Sequence, residues 1–169
     1  MLAVLSALGA LTSVLVGYAG QAVSSLAILP FAAPQLLSGL HVFWLVLACV
    51  LVRTHGSATI VGSIKGLIET VLSSHLGPIV FVVSLTEGAV ADLAFAALSR
   101  KRNWAIYLAG GLSSASNLVI IQFFFWPAVS SVIYILAYSA AFMSGLIFSG
   151  YLTMKVMRVL PETFQTVEG

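Results

Sequence analysis

Six apolar runs, each near the length of a membrane-crossing helix, follow one another with short breaks between them. They span roughly Met1–Gln21, Gln35–Val52, Ser57–Ser74, Pro78–Ser99, Trp104–Phe125 and Pro127–Leu160. A helix needs about 20 mostly apolar residues to cross the hydrocarbon core of a bilayer, and it satisfies its own backbone hydrogen bonds there. The expected fold is therefore an all-α integral membrane protein, with residues 1–169 forming a single six-helix bundle. Charge usage supports this. Only 7% of residues are charged and 60% are hydrophobic, with a mean hydropathy of +1.12. A soluble domain carries about 25% charged residues, so this chain lacks the means to clothe a water-facing surface. The last run is longer than a bilayer requires and is expected to tilt or protrude. Pro30, Pro34, Gly77-Pro78 and Trp126-Pro127 mark turns. The opening "MLAVLSALGA" lacks a basic leader and reads as a retained first helix. Cys49, without a second cysteine, reads as a small buried apolar residue.

The basic residues orient the bundle. Arg53 follows the second run, Arg100, Lys101 and Arg102 follow the fourth, and Lys155 and Arg158 close the sixth. If the helices alternate in direction, all six fall on one side, which the positive-inside rule makes cytoplasmic. Both termini are then expected inside a multi-pass cell-membrane protein. The first outer loop, "QAVSSLAILPFAAPQ" (Gln21–Gln35), turns apolar with two prolines. It reads equally as a lid on the bundle or as a segment resting on lipid.

Small residues at four-residue spacing supply packing seams, since lipid does not press helices together. Such series are Ala58, Gly62 and Gly66; Ala137, Ala141, Gly145 and Ser149; and "GGLSSASN" at Gly110–Asn117. The first run has two: Ala3 with Ala7, and Gly9, Ser13 and Gly17 on an adjoining face. That exceeds what one internal seam needs, so a partner protein is a second use for this helix.

Four charged residues lie within the runs: Lys65, Glu69, Glu87 and Asp92. Each costs at least about 2.5–3.5 kcal/mol at the bilayer centre, so each is expected to face the interior beside a partner. Lys65 and Glu69 are one turn apart on one face. Ser84, Glu87, Gly88 and Ala91 share a side of the fourth helix, with Asp92 one position round. Helix direction puts Glu69, Glu87, Asn117, Gln122, Trp126, Tyr134 and Tyr138 from mid-depth outward. These seven are the candidate ligand-binding residues of a cavity open to the outside. Glu87 leads them, because a carboxylate can balance a cation or accept hydrogen bonds from an amino-heterocycle. Lys65 and Asp92 read as ion-pair or cavity residues, Asp92 more as a structural group or one near the cytoplasmic end of the cavity. Lys65–Glu69 alternatively reads as a neutralised structural pair, the tyrosines and Trp126 as interfacial belt, and Asn117 as a helix–helix bond. His41, His55 and His75 are scattered, so no metal site is expected, and no cofactor.

The stretch Leu51–Trp104, "LVRTHGSATIVGSIKGLIETVLSSHLGPIVFVVSLTEGAVADLAFAALSRKRNW", resembles the substrate-binding S components of energy-coupling-factor (ECF) vitamin transporters. The nearest branch is the YkoE type, associated with thiamine and its hydroxymethylpyrimidine precursor. The shared features are an Arg ending the second helix, Gly-Ser-Ala opening the third, "GLIETVLSS", an outer Gly, "EGAVADLAFA", and a basic turn before a Trp. The branch usually has Gln at Glu87, Glu at Asp92 and a small apolar residue at Lys65. The resemblance implies a vitamin ligand captured from outside, a transmembrane coupling protein and two cytoplasmic ATPase subunits. It also implies that Ala3 and Ala7 form the surface for the coupling protein. The chain has no phosphate-binding loop, so the ATPases are separate chains. No nucleic-acid partner is expected.

Two other classes were weighed. A membrane enzyme finds no metal triad, nucleophile elbow or cofactor fingerprint here. An ion- or proton-coupled carrier or channel subunit would use Lys65, Glu69, Glu87 and Asp92 as a relay, but the polar residues lean toward one face. An S component for another vitamin or small heterocycle remains open beside the thiamine reading.

Overall fold

The computed structural model describes residues 1–26, 33–72, 77–98, 103–125 and 131–160. Every regular element among them is helical: α1 (Leu2–Leu26), α2 (Ala33–Leu36), α3 (Ser38–Val52), α4 (Ser57–Leu72), α5 (Ile79–Leu98), α6 (Asn103–Phe125), α7 (Ser131–Ser144), a π-helical segment (Gly145–Tyr151) and α8 (Leu152–Val159). The short α2 and α3 are one rod broken at Leu37, and α7, the π segment and α8 are another. The expected six helices are thus present. Four rods are long and apolar enough to cross a membrane. The 15-residue α3 and 16-residue α4 are shorter. At 1.5 Å per residue they reach about 22–24 Å.

Three boundaries differ from the sequence reading. α1 continues to Leu26, five residues past Gln21, because serines do not stop a helix that lets hydroxyls bond back one turn. Ser6 Oγ donates to the Leu2 carbonyl (2.9 Å) and Thr12 Oγ1 to that of Leu8 (2.8 Å) in this way. The first outer loop is correspondingly shorter, and it resumes as α2. The last rod changes to π geometry at Gly145, which hydropathy does not encode. There the backbones of Gly110 and Gly145 meet so closely that a side chain at either would strike the other's carbonyl.

Small-residue seams carry the packing. Ala58, Gly62 and Gly66 of α4 lie against α5, where a Cβ at Gly88 would come within 2.5 Å of the Ala58 carbonyl oxygen. Ala137, Ala141, Gly145 and Ser149 are all buried along the last rod. An apolar cluster joins Leu2 and Leu5, Cys49 and Leu51, Ala58, Phe95 and Leu98, Ile106 and Met154. Rods of alternating direction therefore meet at one end, and Arg53, Lys155 and Arg158 belong to that end. Arg53 closes α3 in the left-handed region (φ 55°), its N–H bonded to the Cys49 carbonyl at 3.3 Å. Arg100, Lys101 and Arg102 lie outside the described residues.

Candidate functional site

The close approach of α4 and α5 sets the site. With glycines at 62, 66 and 88 in the seam, the two backbones come near enough for short side chains to bridge them. Opposite Lys65 and Glu69 this puts Ser84 and Glu87. Lys65 Nζ is 3.0 Å from Glu69 Oε1 and donates to Ser84 Oγ at 3.0 Å. Ser84 Oγ in turn donates to Glu69 Oε2 at 2.7 Å. Ammonium, hydroxyl and carboxylate close a ring between the helices. Glu87 stands apart from it. Its Oε2 is 4.0 Å from Lys65 Nζ, within ion-pair range and beyond hydrogen-bond range. Lys65, Glu69 and Glu87 are 1%, 3% and 1% exposed.

The neighbouring helices complete the enclosure. α1 covers the lysine stem through Gly9, where a Cβ would sit 3.2 Å from Lys65 Cδ and 3.3 Å from Trp44 Cβ. α6 fixes the backbone of Glu87, whose carbonyl accepts a 2.7 Å hydrogen bond from Ser113 Oγ. One turn on, Asn117 brings its side chain to the Glu87 carboxyl, and Asn117 Oδ1 is buried without a hydrogen-bond partner. Among the described residues neither Glu87 oxygen has a partner of good hydrogen-bond geometry, Asn117 being the polar side chain that approaches it. His41 of α3 lies within electrostatic reach of Lys65 and Glu69. The cluster holds one ammonium and two carboxyl groups, and among the described residues Glu69 Oε1, both Glu87 oxygens and Asn117 Oδ1 are left without a hydrogen bond.

The other expected site residues fall elsewhere. Gln122 and Tyr138 bond to each other, the tyrosine hydroxyl donating to Gln122 Oε1 at 3.1 Å, and so tie α6 to α7. Tyr134 lies one turn before Tyr138 on α7, half-buried. Asp92 is not a member of the Lys65 cluster. It accepts from the backbone N–H of Ala58 (3.4 Å) and Thr59 (2.8 Å), from Thr59 Oγ1 (2.7 Å) and from Cys49 Sγ (3.3 Å). It thus caps the start of α4 from a neighbouring helix. Ala3 and Ala7 are exposed on α1, while Gly9 and Ser13 face inward. Trp126 and His75 lie outside the described residues.

Sequence reasoning underused two residues. Ser84 was on the right face, but only the α4–α5 spacing reveals it as the bridge. Gln35 is 4% exposed with Oε1 unpartnered, and its carbonyl accepts from Ser38 Oγ (2.7 Å), which also meets Ser114 Oγ (2.7 Å). A glutamine in an apolar loop was the available signal.

A buried ionic cluster inside a bundle of apolar rods is the usual mark of a functional site in a membrane protein. Residues 1–117 match the family described as "ABC-type cobalt transport system, permease component", and the chain belongs to that family, one of transport components and not of catalysts. A solved structure titled "Crystal structure of an S-component of ECF transporter" superposes with a TM-score of 0.83 at 24% identity, covering 93% of this chain and 80% of that one. The fold is accordingly that of an ECF S component. No curated protein matches the sequence.

Proposed function

We propose that this chain is the substrate-binding S component of an ECF-type uptake transporter, with thiamine or hydroxymethylpyrimidine as its cargo. The observation that carries this reading is Glu87: a carboxylate 1% exposed with neither oxygen hydrogen-bonded. Burying such a group without hydrogen bonds is costly even beside the Lys65 charge, and an amino-heterocycle that donates N–H bonds or carries positive charge removes that cost on binding. Asn117 Oδ1 offers a second acceptor beside it. The vitamin identity follows from the motif resemblance over Leu51–Trp104. In this reading both termini are cytoplasmic, the cluster is reached from outside, and Ala3 and Ala7 on the exposed flank of α1 receive the coupling protein. Two ATPase subunits supply the energy.

The family's description supports a second reading, in which the cargo is a cobalt ion. The donors argue against it. Among the described residues no group of three or more His, Cys, Asp or Glu side chains is placed to hold a metal. A carrier relay through Asp92 has less support, since that carboxylate is bonded into the start of α4, about 7.5 Å further along α5 than Glu87.

The test is equilibrium binding of thiamine and hydroxymethylpyrimidine to the purified protein, without ATP or an ion gradient. Nanomolar retention of either supports the proposal. Absence of binding, together with pH-dependent ion flux from reconstituted protein alone, would replace it with the carrier reading.

A further inference from the structure

We infer that Lys65 sets the charge of the cargo: it is a tethered counter-ion that makes the cluster accept one positive charge on an organic ligand and refuse divalent metal ions. This rests on the reading that the Lys65–Glu69–Glu87 cluster is where cargo binds.

The geometry provides the argument. Lys65 Nζ lies 3.0 Å from Glu69 and 4.0 Å from Glu87, between the two carboxylates where a dication shared by them would sit. An ammonium has three N–H groups. Ser84 takes one of them at 3.0 Å, and Glu69 Oε1 lies 3.0 Å from the nitrogen as an ion pair. Glu87 is close enough to feel the charge and too far to share a proton, so both its oxygens stay available. With both carboxyls ionised, two carboxylates against one ammonium leave the cluster short of a single positive charge.

A ligand with one positive charge and N–H donors restores neutrality and fills the acceptors of Glu87 and Asn117. A divalent ion bound to Glu87 would overshoot neutrality and lie about one ion-pair distance from a fixed ammonium, in a medium that screens far less than water. Without the ammonium the same place is lined by Glu69, Glu87, Ser84 Oγ and Asn117 Oδ1, all oxygen donors of the kind that suits divalent ions. Lys65 thus separates this cluster from a metal site.

The experiment compares purified full-length wild type, Lys65→Met and Lys65→Gln. Co²⁺ binding is read by titration calorimetry, and Lys65→Arg serves as the charge-retaining control. Lys65→Gln can still hydrogen-bond Ser84 and Glu69, so it supplies the answer if the methionine variant does not fold. Wild type and Lys65→Arg are expected to bind Co²⁺ at least about tenfold more weakly than the neutral variants. Equal Co²⁺ affinity in charged and neutral variants, or Co²⁺ bound by wild type and lost in Glu87→Gln, overturns the inference. A second arm measures affinity for thiamine, a cation, against neutral hydroxymethylpyrimidine. The preference for the cation is expected to rise about tenfold when Lys65 is neutral, whereas a merely structural lysine would shift both ligands alike. If neither compound binds wild type, the vitamin reading fails while the Co²⁺ comparison still decides the role of Lys65.

Discussion

Asp92 and Glu87 are two acidic residues five positions apart on α5, and their surroundings are opposite. Asp92 accepts four hydrogen bonds from three residues and holds the start of α4 in place. Glu87 is more deeply buried, and among the described residues its carboxylate has no partner of good hydrogen-bond geometry. A carboxylate in a membrane bundle stabilises the fold when the fold supplies its donors, as at Asp92. When the fold withholds them, the carboxylate is a standing cost that something else must offset. That difference is the basis of our proposal that Asp92 serves the architecture and Glu87 the cargo.

The comparison can be broken most severely at Glu87. Glu87→Gln keeps the shape and removes the charge, and ligand affinity is expected to fall about 100-fold, the usual scale for losing one partner of a buried charged hydrogen bond. Its thermal midpoint should hold or rise, since an unsatisfied buried charge has gone. Asp92→Ala is expected to do the reverse. Loss of a helix cap with several charge-assisted bonds costs about 2–4 kcal/mol, visible as a lower unfolding temperature in detergent, with ligand affinity changed by less than about threefold. Comparable losses of affinity in both variants would erase the distinction.

Smaller effects sharpen it. Ser84→Ala opens the ring between Lys65 and Glu69 while leaving their direct contact, so about 1 kcal/mol of stability is expected to be lost, measured by thermal unfolding. Ala7→Trp on the exposed flank of α1 should leave ligand affinity unchanged and reduce co-purification with the coupling protein. Normal assembly by that variant would remove Ala3 and Ala7 from the partner surface.

Much of the architecture was legible because lipid is a simple solvent. Apolar length locates the rods, and the four-residue series Ala58–Gly62–Gly66 and Ala137–Ala141–Gly145–Ser149 locate the seams that the structure buries. The cost of intramembrane charge singles out Lys65, Glu69, Glu87 and Asp92, of which the first three lie together. The break at Leu37 and the π segment at Gly145 were not legible, because hydropathy does not record which carbonyl an amide chooses. Asp92 reads from sequence as an ion-pair, cavity or structural residue, since sequence gives its helix face but not the neighbour's end lying across from it. Gln122 and Tyr138 show the same limit. Both are polar at the expected depth, and their bond to each other depends on the rotation of α6 against α7, which no spacing within either helix specifies.

The central claim is that Glu87 waits for the cargo to satisfy it. The most direct measurement is equilibrium binding of radiolabelled thiamine to purified wild type and Glu87→Gln, side by side, with no coupling protein and no ATP. The account expects tight binding by wild type and a loss of about two orders of magnitude in the variant, at equal or higher thermal stability. Undiminished affinity in a well-folded Glu87→Gln protein would contradict it.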